Sequence, residues 1–179
     1  MIIDLVKSAI QTGDEVISAQ VLNFGLDDSV VDQVCEMARK SGRGRFRLCI
    51  HRDSMEKQQE MLIVHPRCAY VPPHKHLGKP ESLLVLRGKA DYFLFDNDGI
   101  VTDKIELGDH YSKKCFFFRV AEPKYHSMLI RSEELVFMET TQGPFFREDN
   151  IVAPWAPDPD DVSAVDRFLE SLANADSPC

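Results

Sequence analysis

The spacing of apolar positions changes character once along this chain, near Arg45. Upstream, Val30, Val31, Val34, Met37 and Ala38 recur every three or four residues, the mark of one face of a helix. Asp27 and Asp28 offer an N-cap, Arg39 and Lys40 suit the carboxyl end of the dipole, and Gly42 stops the run. The pattern predicts an amphipathic helix over Ser29–Lys40 whose stripe meets a core or a partner copy. From Arg45 the period is two: Phe46, Leu48 and Ile50 take one face, and Arg45, Arg47, Cys49 and His51 the other.

Strand signals then follow at Gln58–Val64, Ala69–His76, Ser82–Leu86, Ala90–Phe95, Ile100–Leu107, Phe116–Val120, Ser127–Ile130 and Leu135–Glu139. Asp96-Asn97-Asp98-Gly99 is a strong hairpin turn. Many short strands with turn-rich joints predict an all-β sandwich or barrel. Ile2–Ile10 fits helix or strand equally, and Val16–Leu22 reads as an edge strand. The tail A-P-W-A-P-D-P-D-D is extended, and Asp158-Pro159 is expected to cap a last helix through Phe168, Leu169 and Leu172. The expected organisation is one compact domain: an N-terminal extension (1–43), a barrel (44–150) and a C-terminal arm with a helix (151–179).

Composition narrows the function classes. With 179 residues, 44% hydrophobic and 28% charged, the chain has the make-up of a soluble globular domain. A net charge of -8 argues against nucleic-acid or anionic-membrane partners, which call for a basic face. Cys35, Cys49, Cys68, Cys115 and Cys179 are scattered, with no C-x2-C pair, so neither a disulfide framework nor a zinc knuckle is indicated. Thiols of this kind and a poor signal-peptide pattern at the N-terminus point to the cytoplasm. The helix stripe and a spare N-terminal strand suggest a homodimer.

Chemistry concentrates in Tyr70–Gly88, Y-V-P-P-H-K-H-L-G-K-P-E-S-L-L-V-L-R-G. His74 and His76 leave the same face of a strand, and Gly78 and Pro80 mark a turn. Glu81 opens the next apolar run, and a tight hairpin would return its carboxylate to the two histidines. Imidazoles and a carboxylate suit a borderline divalent metal. His126, in E-P-K-Y-H-S-M-L-I, shares its face with Met128 and Ile130 and supplies a further ligand; His110 in L-G-D-H-Y is the runner-up.

The spacing H-x-H-x4-E-x6-G resembles the first motif of the cupin superfamily, whose metal site is completed by a histidine on a later strand. The rest is similar to the WbuC-type cupin-fold metalloproteins, through R-F-R-L-C-I-H (Arg45–His51), Y-V-P-P-H-K-H (Tyr70–His76), F-D-N-D-G (Phe95–Gly99), E-T-T-Q-G-P-F (Glu139–Phe145) and A-P-W-A-P (Ala153–Pro157). The second motif departs from the pattern, with Ala121 and Pro123 in place of P-x-G and Ile130 in place of an asparagine. The resemblance implies a cupin-type β-barrel of jelly-roll topology and one divalent transition metal, Fe, Mn, Ni or Zn. It also implies a link to surface-polysaccharide gene clusters.

Four protein ligands on an octahedral ion leave two positions open, whereas a tetrahedral zinc with all four would be closed and structural. An internal Arg45, Arg47, Cys49 and His51 face would bind a small anionic ligand. Glu60, Tyr70 and Tyr125 are candidate proton donors or acceptors. The expected function is therefore a metal-dependent isomerase, epimerase or oxygenase acting on a small anionic or sugar-derived molecule. The alternative is a non-catalytic sensor using the same pocket.

Overall fold

A computed structural model describes residues 1–175. The N-terminal segment forms α1 (Leu5–Ser8), β1 (Ala9–Gly13), β2 (Val16–Ala19) and α2 (Asp28–Lys40). Nine strands follow: β3 (Phe46–Cys49), β4 (Gln58–Pro66), β5 (His74–His76), β6 (Glu81–Arg87), β7 (Lys89–Phe95), β8 (Val101–Gly108), β9 (Phe117–Val120), β10 (Tyr125–Ile130) and β11 (Glu134–Gln142). The tail adds β12 (Asn150–Val152) and α3 (Val162–Ala173).

The strands make two sheets, one of order β1-β2-β3-β4-β11-β6-β9 and one of order β12-β5-β10-β7-β8. This is the predicted all-β, cupin-type jelly roll. Met61, Ile63, Leu83, Val85 and Phe137 of the larger sheet pack on Tyr92, Met128 and Ile130 of the smaller. Alternation along each strand fills this interior, and the opposite faces need other cover. On the larger sheet that cover is α2, whose Val30, Val34, Cys35 and Ala38 pack on Leu48, Leu62, Val64 and Val136. Of the two expected settings for the helix stripe, a core or a partner copy, it takes the core, and the Asp27 carboxylate caps the helix by accepting from the Val30 N–H. On the smaller sheet, Phe93, Phe95, Tyr125 and Leu129 are covered by Ala153, Trp155, Phe168 and Leu172 of the tail.

Several boundaries move for local reasons. Ile2–Ile10 divides into a single helical turn and β1, and β1 rather than β2 takes the edge of the sheet. The expected Ala69–His76 strand shrinks to β5, because Pro72 and Pro73 have no N–H to give a ladder. The last helix is capped by Asp161, whose side chain accepts from the Ala164 N–H, three residues beyond the expected Asp158. The fifth cysteine, Cys179, lies outside the described residues.

Candidate metal centre and its cavity

The Tyr70–Gly88 stretch is not a hairpin. β5 belongs to the smaller sheet and β6 to the larger, so Leu77–Pro80 crosses from one sheet to the other. Gly78 turns the chain at φ +66°, and Pro80 ends any pairing before β6 begins. The carboxylate of Glu81 therefore meets the histidines across the sandwich. The glycine that closes the motif has its own cause: Gly88 sits at φ +90°, and a Cβ there would collide with the Glu134 carbonyl oxygen.

β10 lies antiparallel to β5 with His126 directly opposite His74. The strand parity that buries Met128 and Ile130 also turns His126 inward, where it is 3% exposed. Ligand atoms of His74, His76, Glu81 and His126 all lie within 4.8 Å of one another. The ring Nδ1 of His74 is 2.8 Å from the Pro72 carbonyl oxygen, and that of His126 is 3.0 Å from the Lys124 carbonyl oxygen. A carbonyl only accepts, so both Nδ1 atoms carry the proton and both Nε2 lone pairs are left for another partner. The His126 Nε2 is buried with no hydrogen-bond partner among the described residues. The His76 Nε2 lies 2.8 Å from Glu81 Oε2.

These features fit a divalent cation. Burial, reinforced by His126, pushes the His74 imidazole down to about 4, and burial lowers His126 as well, so both are neutral ligands near pH 7. Burial acts to raise Glu81, but the His76 hydrogen bond and the surrounding imidazoles outweigh it and hold the carboxyl below its usual range. Neutral imidazoles around an ionised carboxylate are the protonation state that metal binding requires. Tyr92 steadies the group: its hydroxyl donates to Glu81 Oε1 at 3.4 Å, and its ring stacks on His126 with centroids 5.6 Å apart.

The four residues line a cavity of about 740 Å³ between the sheets, large enough for a small organic ligand. The polar face of β3 also lines it, with Arg45, Arg47, Cys49 and His51 all bordering the space. Their roles differ, however. Arg45 is held 3.0 Å from Glu15, a carboxylate that also binds Arg43 at 2.6 Å. The His51 Nδ1 is tied to the backbone of Glu60. Cys49 is pushed up by burial, which disfavours the thiolate.

The three proton-transfer candidates lie elsewhere. Glu60 stands between Met61 and Gln59 on β4, so parity turns it away from the interior that Met61, Ile63 and His65 face. The Tyr70 hydroxyl donates to the Pro157 carbonyl at 3.0 Å, fastening the tail. Tyr125 packs edge-on against Trp155 in the cluster beneath the tail, with centroids 5.9 Å apart. His110 is on the surface against Tyr111 and Phe116.

Two residues that line the cavity carry no motif of their own. Glu139 on β11 stands opposite Met61 and Leu83, one inward-facing position from Thr141, the partner of Glu81. Burial, then the charge of Glu81, pushes its carboxyl up to about 8. His65 on β4 also borders the cavity. The inward parity of β4 would have marked His65, but Met61–Val64 is an unbroken apolar run that hides the alternation. Glu139 lay in view within E-T-T-Q-G-P-F, without a signal for its direction.

Comparison with known proteins agrees with this architecture. The model of a domain family of unknown function, DUF6016, matches residues 26–107. No curated protein matches the chain. Among solved structures, protein SO0799 from Shewanella oneidensis superposes with a TM-score of 0.52 at 12% identity, over 68% of this chain and 82% of that one. A cupin superfamily protein from Desulfitobacterium hafniense gives a TM-score of 0.43 at 15% identity, over 55% of this chain and 76% of its own. The cupin domain of Schizosaccharomyces pombe Cnp3 gives 0.43 at 13%, over 55% and 60%. At 12% identity the likeness to SO0799 is one of fold alone, so function rests on the site.

Proposed function

We propose that this protein is a metal-dependent enzyme acting on a small anionic or sugar-derived molecule by proton transfer, as an isomerase or epimerase. The observation that carries this reading is the convergence of His74, His76, Glu81 and His126 on one point of an open cavity, with the buried His126 Nε2 lacking a hydrogen-bond partner among the described residues. Those four residues would hold the ion. When bound, it would supply Lewis acidity, polarising a carbonyl or hydroxyl oxygen of the ligand.

The protein's own groups support the rest. Arg47, free of any carboxylate partner among the described residues, gives the cavity a positive charge to orient an anion. Glu139 offers a carboxyl that is raised towards neutrality, the range in which a group can both give and take a proton. A bound cation would draw that value down again, towards the base form. The exposed rings of Phe145 and Phe146 stand at the rim, where they would exclude water from a bound ligand. The resemblance to WbuC-type proteins supports placing such a ligand in surface-polysaccharide synthesis.

The test is solvent-proton exchange. Metal-loaded protein incubated in D2O with a panel of sugar acids and sugar nucleotides should label a ligand carbon, and Glu139→Gln should abolish labelling while retaining the metal. Binding of a ligand without labelling or any other turnover would instead make the protein a sensor.

A further inference from the structure

His65 makes no hydrogen bond through either ring nitrogen to any described residue, and its Nδ1 is fully buried. Such orphans are rare in folded proteins and call for a partner that the chain itself does not supply. The imidazole borders the cavity, as does Arg47. Their relation follows from register. Phe46 pairs with Val64 and Arg47 with Ile63, so His65 is the diagonal neighbour of Arg47 on the inward face of the same two strands. Diagonal neighbours stand about 7–8 Å apart, within reach of a long side chain. The only polar contact of the Arg47 side chain among the described residues is a weak one, from Nη1 to the Met61 sulfur at 3.4 Å. Arg45, which the same register carries opposite His65, is already paired with Glu15 at 3.0 Å.

We infer that Arg47 and His65 form an oxyanion subsite, separate from the His74–His76–Glu81–His126 cluster, that anchors a carboxylate or phosphate group of the ligand. Arg47 presents a fork of N–H donors matched to two oxygens of either group. His65 adds one N–H from the side. Burial, followed by the charges of Arg45 and Arg47, pushes the His65 imidazole down to about 4, against an opposing effect of Glu15, so near pH 7 it is a neutral donor. The subsite deepens the proposed function, on which it rests for the identity of the cavity as a binding site. It implies a ligand with two ends, an oxyanion at the β3–β4 wall and a reacting group at the histidine cluster.

Calorimetric titration of the metal-loaded full chain with inorganic phosphate, acetate and glutarate tests this. At least one should bind, with phosphate strongest if the natural group is phosphoryl and glutarate or acetate strongest if it is a carboxylate. Arg47→Met and His65→Phe should each weaken binding about ten- to a hundredfold, the loss expected for a hydrogen bond to a charged group. His65→Gln, which keeps an N–H, should recover part of it, and Arg67→Met on the surface should change nothing. The 15N shift of the His65 ring should move on titration of the native chain. The inference is overturned if none of the anions binds, or if natively folded Arg47→Met and His65→Phe bind as the parent does. Metal binding that persists alongside such a result would leave the proposed function intact. Failure to bind metal, with Arg47-dependent anion binding retained, would overturn the metal reading alone.

Discussion

His126 and His74 face each other as cross-strand partners of β10 and β5, with ring centroids 4.4 Å apart. Each ring is fixed by a carbonyl bonded to its Nδ1, so the pair presents two ready lone pairs although no P-x-G turn precedes His126. Pairing with β5 and β7, not the local P-x-G turn, sets the direction of this side chain. Replacing His126 by Ala should lower metal affinity by more than about 100-fold, beyond the 10–100-fold typical of changes to outer partners. Competition with a chromophoric chelator measures it, and His110→Ala should leave affinity unchanged.

Metal uptake near neutral pH should release few protons. His74 and His126 are already neutral and Glu81 is already ionised when folded, so these three ligands have none to give up. Calorimetry in buffers of different ionisation enthalpy should report fewer than about two protons released per ion near neutral pH.

The stability of the metal-free chain should depend on pH through two opposed groups of residues. His65 and His74, both held at about 4 against an ordinary 6.5, bind fewer protons folded than unfolded, so their contribution is lost as pH falls from 6.5 towards 4. Glu139, at about 8 against an ordinary 4.5, binds more protons folded, so its contribution is lost as pH rises from 4.5 towards 8. The Tm of Glu139→Gln relative to the parent should therefore climb between pH 4.5 and 8 and level off above. A difference that stays constant across that range would contradict the environment assigned to Glu139.

Gly99 ties the D-N-D-G turn to the tail. It sits at φ +87°, and a Cβ would come within 2.9 Å of the Trp155 ring, whose Nε1 donates to the Asn97 carbonyl at 3.1 Å. Gly99→Ala should cost about 1–3 kcal/mol from overpacking and a strained backbone. Thermal melting should show a fall of several degrees, at about 2–4 °C per kcal/mol for a chain of this size, with metal affinity unchanged.

What the sequence revealed follows the range of the interactions involved. The α2 stripe, the hairpin at Asp96–Gly99 and the inward pair His74 and His76 are set by spacing within one element, and all were legible. Glu81 was found for a partly mistaken reason, since the segment before it changes sheets; nothing local distinguishes a hairpin from a crossover when both begin with Gly and Pro. Glu60 was chosen over its neighbours because β4 hides its alternation in four consecutive apolar residues. His65 and Glu139 became visible only with the registers of β3, β4 and β11, which depend on partners far along the chain. Tyr70 and Tyr125 serve the tail, and no residue near them announces that contact.

The central claim is that one divalent ion is held by residues from both sheets. Elemental analysis of the protein purified without added metal, then saturated with each ion in turn and desalted, tests it most directly. The parent should retain about one Fe, Mn, Ni or Zn ion per chain, with a near-total loss in natively folded His76→Ala and Glu81→Ala. Parent protein that retains no metal at any of these ions, or a His76→Ala variant that retains a full equivalent, would contradict it.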